Sequence, residues 1–439
     1  MSEPVTSHQF KAKAGLLSVM ALIYASGCGG PYGTEDYIAQ TGPGLMILLL
    51  FVTPWLWGVP MALATAELAT MRPVEGGYYR WVREIFGEFW GFQVGGWTII
   101  ASLLDNALYP VLFGKALLYW FPDLPFWQQG LASVGFVLLL TFVNYRGIQI
   151  VGATSVFLTL FLIAPLFWIV GAGFLNARFN PLVPFRAPGI DGLEGFGSGM
   201  ALVMWLYSGM SEISTAAEEV KRPARTIPLA LLLVVPIIIM SYTLPVIAGL
   251  VSIGDWQGWN SGQFAVIGEL LGGKTLGTWA FLGSVAGYMV IFLAYMVWYS
   301  RLTWAMAEDG SLPRILTRLH PRYGTPYATI LGYAALYSLL VWVPFERLLV
   351  VDMWVTGAYC TTILALLVRL RSRRVERPEG FRVPGGKLGA WLVVLLPATT
   401  WGVVLFSTAH GDWIPGTVAL LAPALIYAVM KRLRRSQPI

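Results

Sequence analysis

Apolar positions along this chain come in blocks of about twenty, the length that crosses roughly 30 Å of hydrocarbon at 1.5 Å rise per residue. Twelve blocks can be read: Gly15 to Gln40, Leu45 to Thr70, Phe89 to Trp120, Phe126 to Val143, Ile148 to Leu175, Gly197 to Val220, Ile227 to Ile253, Leu276 to Ala307, Pro326 to Trp342, Leu348 to Leu370, Leu388 to Thr408 and Ile414 to Met430. The pattern predicts an all-α integral membrane protein of twelve transmembrane helices. Residues 1–13 and 432–439 are left as short tails.

The charges that interrupt these blocks are segregated. With the N-terminus inside, 24 of the 29 Lys and Arg residues fall on one side, including the dense run Arg369 to Lys387. The opposite connections carry Glu35, Asp36, Asp123, Asp191, Glu194, Asp255 and Asp412. This asymmetry predicts that both termini are cytoplasmic. The net charge of +6 is then a topological signal, and a nucleic-acid partner is not expected. The stretch after Lys13 shows no small-residue cleavage site and reads as the first span rather than a leader.

Composition narrows the classes further. The chain is 56% hydrophobic and only 12% charged, too little charge to cover a soluble surface of this size. Cys28 and Cys360 lie in separate spans, and His8, His320 and His410 lie in a tail or polar connections. No metal site, redox pair or buried histidine relay is expected, and no cofactor. An enzyme would need nucleophile, base or metal ligands clustered at one depth, and the sequence offers no such cluster.

Two spans break their own pattern. Span 1 contains Ala25-Ser26-Gly27-Cys28-Gly29-Gly30-Pro31 and span 6 contains Trp205-Leu206-Tyr207-Ser208-Gly209-Met210-Ser211-Glu212. Glycine and proline disfavour helix, and lipid gives released backbone groups no partner, so unwound chain at this depth must line protein or a cavity. Breaks five spans apart predict a five-plus-five inverted repeat, residues 14–175 against 190–370, with 388–431 added. Helices ending at Ser26 and Tyr207 would offer carbonyls to a cation, and helices restarting near Pro31 and Ser211 would offer N–H groups to an anion. The candidate substrate-binding residues are therefore Ala25, Ser26, Gly27, Cys28, Gly29, Gly30, Pro31, Trp205, Tyr207, Ser208, Gly209, Ser211 and Glu212, joined by Asp105.

Asp105 sits mid-span, where an acid costs about 2.5 to 3.5 kcal/mol on insertion scales and so must face a cavity or a partner. Tyr109, four residues on, shares its face. Asp105 is expected to hold a substrate cation or a coupling proton. Glu67, Tyr109, Glu218 and Glu219 are further coupling or gating candidates, the three glutamates beside Arg72, Lys221 and Arg222. Glu35 and Asp36 are expected to gather cations in an outer vestibule. Gly268 to Thr275 satisfies the pattern of a phosphate-binding loop, yet a membrane span follows it and no α/β context surrounds it, so a tight turn is expected and no nucleotide.

Several runs together resemble the amino acid, polyamine and organocation superfamily. They are the span 1 glycines, Glu67-Leu68-Ala69 with Pro73 and Gly76-Gly77-Tyr78, Glu218-Glu219-Val220-Lys221-Arg222-Pro223, and Met306-Ala307-Glu308-Asp309-Gly310. Gly30 to Asp36, Asp105 to Phe113 and Asn144 to Gly147 are similar to plant polyamine and L-type amino acid transporters, whereas Ser214 to Glu219 is closer to cationic amino acid transporters. The resemblance implies a LeuT-like fold in which spans 1, 2, 6 and 7 rock against spans 3, 4, 8 and 9. It also implies a substrate-stacking role for Trp205, as in arginine/agmatine exchangers. Two positions depart from it: Ser211 stands where many members have an acid, and Thr154 to Phe161 lacks the lysine of some proton-coupled members. The expected protein is a plasma-membrane (in a prokaryote, inner-membrane) secondary transporter of cationic or amine-bearing amino acids, coupled to protons rather than sodium. Polyamine symport, amino acid exchange and nutrient sensing without transport are the alternatives.

Overall fold

A computed structural model describes residues 15–71, 77–188, 193–214, 220–372, 381–407 and 410–435. No β-strand forms among them. The α-helices are α1 (Leu16–Gly27), α2 (Glu35–Thr41), α3 (Pro43–Leu56), α4 (Gly58–Met71), α5 (Gly77–Phe86), α6 (Glu88–Ala116), α7 (Phe126–Tyr145) and α8 (Ile148–Leu175), then α9 (Leu193–Leu206), α10 (Pro223–Ser252), α11 (Gln263–Glu308), α12 (Tyr327–Leu340), α13 (Phe345–Ser372), α14 (Gly386–Ser407) and α15 (His410–Arg435). Among the described residues nine helical stretches are long and apolar enough to cross a membrane. Three further apolar helices, Leu16–Gly27, Phe196–Leu206 and Tyr327–Leu340, are shorter.

The surface is that of a protein dissolved in lipid. Phe51, Leu160, Phe167, Trp168, Leu232 and Phe406 point outward, while Glu35, Glu67, Asp105, Glu212 and Asp352 are buried. Water-soluble monomers rarely expose such continuous apolar area. At the centre, α6, α11 and α13 form a frame: α11 packs on α8 and α6, and α13 packs on α6, α14 and α15. The broken helices lean on that frame, α1 against α10 and α11, and α9 against α3, α13 and α14.

Two spans differ from their sequence reading. The second is divided at Trp57, whose φ and ψ are −122° and −67°. Pro54 inside α3 removes a ladder donor, and Gly58 begins the next helix, which together account for the kink. The eighth begins earlier than expected, at Gln263, and bends at Gly272 and Gly273 before continuing to Glu308. Gly268 to Thr275 is thus a helical corner with no strand before it, and it cannot wrap a phosphate as a strand-to-helix loop does.

Candidate functional site

The first break is built around an exposed helix end. α1 stops at Gly27, and Cys28 is extended (φ −154°, ψ 110°) with its N–H still bonded to the Tyr24 carbonyl. The Gly27 carbonyl, left over at the helix end, accepts from the Tyr242 hydroxyl at 3.1 Å. The chain does not resume helix at Pro31. It turns through Pro31 to Thr34, where the Thr34 hydroxyl donates to the Pro31 carbonyl at 2.5 Å, and α2 starts at Glu35. Glu35 is not a vestibule residue: it is buried, and its Oε2 accepts the Gly33 N–H at 2.6 Å. A carboxylate satisfies free N–H groups at a helix start better than water can here.

The second break lies against the first. α9 ends at Leu206, and Gly209 adopts φ +84°. A Cβ there would come within 2.5 Å of the Ser26 carbonyl oxygen, so only glycine serves at this crossing. Ser208 accepts from the Trp57 indole N–H at 3.1 Å. Near Ser211, where a restart is expected, residues 212–214 form a 3-10 turn, and residues 215–219 after it lie outside the described residues. Glu212 accepts from the Tyr78 hydroxyl at 3.1 Å and from Ser211 at 3.4 Å.

Between the breaks is a cavity of about 20 Å³, room for a water molecule and not for an amine or amino acid. Of the sequence candidates, Ser26, Gly27, Gly29, Gly30, Trp205 and Ser208 line it, as does Tyr109. Ala25, Cys28, Pro31, Tyr207, Gly209, Ser211 and Glu212 do not reach its wall. The Tyr207 hydroxyl points away, to the Leu50 carbonyl at 2.9 Å. Tyr32 also lines the cavity, and its buried hydroxyl has no hydrogen-bond partner among the described residues.

Asp105 does not line the cavity either; it is bonded to two residues that do, Trp205 and Tyr109. Its Oδ1 accepts the Trp205 indole N–H at 2.6 Å and the Tyr109 hydroxyl at 3.3 Å, and its Oδ2 accepts the Tyr299 hydroxyl at 3.2 Å. The Tyr109 and Trp205 rings stack at 5.7 Å, and Phe345 meets Trp205 edge-on at 5.9 Å. Three donors hold the carboxylate, and no lysine or arginine pairs with it among the described residues. The α11 face opposite is made by Gly287, Ile291, Tyr295 and Tyr299, each four residues from the last and so on one side of the helix. Gly287 is needed because the Gly29 carbonyl presses where its Cβ would stand.

Ion pairs form two groups, one at the α2 end and one at the opposite end. At the α2 end, Lys115 bridges Asp36 at 3.3 Å and Glu346 at 3.0 Å, and Asp36 also accepts from Ser261 N–H and hydroxyl at 2.9 and 2.7 Å. At the other end, Arg83 pairs with Asp309 at 2.9 Å and Arg80 with Glu308 at 3.2 Å. Glu67 pairs there with Arg371, which forks onto both its oxygens, and it also accepts the Val383 N–H at 2.7 Å. The partner expected from sequence, Arg72, lies outside the described residues, as do Glu218 and Glu219.

Sequence reasoning passed over Asp352, buried in α13 and bonded by the Thr356 hydroxyl at 3.1 Å. Like Asp105, it is an acid inside an apolar span. Of the cavity tyrosines beyond α1, Tyr242 stands alone on α10, and Tyr288 and Tyr295 are seven residues apart on α11, a pattern that ordinary helix packing shares.

A family model described as amino acid permease matches residues 15–430. A polyamine transporter of Arabidopsis thaliana is 33% identical, over 98% of this chain and 87% of that protein. A polyamine transporter of Oryza sativa subsp. japonica is 35% identical, over 95% of this chain and 79% of its own. A methylthioribose transporter of Bacillus subtilis (strain 168) is 26% identical, over 83% and 84%. The chain belongs to the amino acid permease family, within the amino acid, polyamine and organocation superfamily.

Proposed function

We propose that this protein is a secondary transporter of small alkylammonium solutes, polyamines foremost and cationic amino acids second, working by alternating access. The observation that carries this reading is Asp105, an unpaired carboxylate in an aromatic cage beside two helix breaks. Trp205, Tyr109 and Tyr299 give such a cage both hydrogen bonds and π faces for an ammonium. The names of the plant relatives support polyamines over amino acids. An incoming ammonium would take Asp105 from the indole and hydroxyl donors, and the α1 carbonyl end at Gly27 would supply further acceptors.

In this reading the three shorter apolar helices complete twelve crossings, and residues 14–175 and 190–370 are the inverted repeats. The basic side is cytoplasmic, and the membrane is the plasma membrane or its prokaryotic counterpart. The Lys115 bridge is then the outer gate, and the Arg83 and Arg371 pairs the inner one. With both in place and about 20 Å³ between them, the form described is closed at both ends, and substrate must spread the breaks to enter. Coupling is to protons carried on a buried carboxylate of the site, Asp105 or Glu212. A thermal-shift screen of amines and amino acids, with pH and sodium varied, tests the reading. Stabilisation by diamines at millimolar or lower concentration supports it; none by any amine or amino acid contradicts it.

A further inference from the structure

The stripe of α13 that faces the site repeats every seven residues. Phe345, Asp352 and Tyr359 are two helical turns apart, about 10.5 Å along the axis at each step, and share one face. Both flanking members touch site machinery. Phe345 packs edge-on against Trp205, the donor to Asp105. Tyr359 stacks on Tyr78 at 6.0 Å, and Tyr78 donates to Glu212. Asp352 therefore lies at a depth between Asp105 and Glu212, on the helix that packs against the one carrying Asp105.

Its surroundings are those of a ligand group. Asp352 is 1% exposed, and Thr356, one turn on, donates to its Oδ1 and fixes the carboxylate while Oδ2 remains free to accept. No lysine or arginine pairs with it among the described residues. α13, which carries Asp352, packs along α6, which carries Asp105. Two anions placed this way in a low-dielectric interior are costly unless a cation or protons offset them.

We infer that Asp352 is the second anionic point of the transport site, taking the distal ammonium of a diammonium substrate whose first ammonium rests on Asp105. This rests on the amine-transport reading and sharpens it. A site with two carboxylates rewards a second positive charge and disfavours the carboxylate of an amino acid. Asp352 thus sets selectivity for diamines over monoamines of equal length.

The test compares binding of 1,4-diaminobutane and 1-aminobutane to the purified full chain, for the wild type, Asp352→Asn and Asp352→Glu. The wild type is expected to prefer the diamine by about tenfold or more. Asp352→Asn is expected to lose most of that preference while still binding the monoamine, and Asp352→Glu to restore part of it. A purely structural role would weaken both ligands alike and leave their ratio unmoved, which overturns the inference. A wild type that binds both amines equally overturns it as well, even if the Asn variant fails to fold, and leaves the amine-transport reading standing. A wild type that binds no amine ends both.

Discussion

The indole N–H of Trp205 meets Asp105 Oδ1 at 2.6 Å, tying the end of the broken helix α9 to the middle of α6. One hydrogen bond thereby joins an element that the fold leaves unwound to the frame it leans on. A hydrogen bond to a charged group contributes about 1.5–3 kcal/mol, so a ligand that takes this carboxylate also releases α9.

Trp205→Phe separates the ring from the donor. The stack on Tyr109 stays and the N–H goes, so the ligand-free protein should melt lower by the equivalent of about 1.5–3 kcal/mol. Asp105 then has one competitor fewer, and the affinity for diamines should rise. Calorimetry on the two proteins gives the sign; weaker binding by the Phe variant would mean that the indole N–H serves the bound state instead.

The crossing of the two breaks depends on Gly209. Gly209→Ala forces a left-handed backbone worth about 1–2 kcal/mol on a residue with a Cβ and drives that Cβ against the Ser26 carbonyl. Gly33→Ala carries the same kind of φ, +94°, but its Cβ would meet only a Leu112 methyl at 3.4 Å. Folded yield by fluorescence size-exclusion chromatography should drop sharply for the first and mildly for the second.

Arg371 and Glu67 form a buried pair, with side chains 13% and 2% exposed. Arg371→Ala leaves Glu67 charged and uncompensated, a loss of about 3–5 kcal/mol. Adding Glu67→Gln should recover part of that loss. A melting series of the two single variants and the double variant measures this coupling; simple additivity would show that the pair does not act as a unit.

The Lys115 bridge is more exposed, with side chains 22–45% accessible, and each half is worth at most about 1 kcal/mol. That still changes a two-state population about fivefold. In a Cys360→Ser background, Lys115→Met should speed labelling of buried Cys28 by a small thiol reagent about fivefold. Unchanged labelling would show that the bridge does not gate this end.

Sequence was most informative where a single residue violates its surroundings. Glycines in an apolar span marked the first break to within one residue of where α1 ends, and Asp105 with Tyr109 at i and i+4 gave the pair that the structure joins at 3.3 Å. It was least informative where the outcome depends on a partner far along the chain. Glu35 looked like a surface acid because its sequence neighbours are polar, yet the turn at Gly33 folds its carboxylate inward. Glu67 found Arg371, 304 residues away. Lys115, at the end of a span, gave no hint of the two carboxylates it bridges. Asp352 was legible by the rule applied to Asp105 and shows that the rule must be applied to every span.

The central claim is that Asp105 holds an ammonium which the protein carries across the membrane. Uptake of labelled 1,4-diaminobutane into liposomes containing the purified protein tests it most directly. Uptake should be saturable, competed by unlabelled diamines and abolished or severely reduced by Asp105→Asn in a variant that still folds. Uptake no greater than in protein-free liposomes, or undiminished by Asp105→Asn, would contradict it.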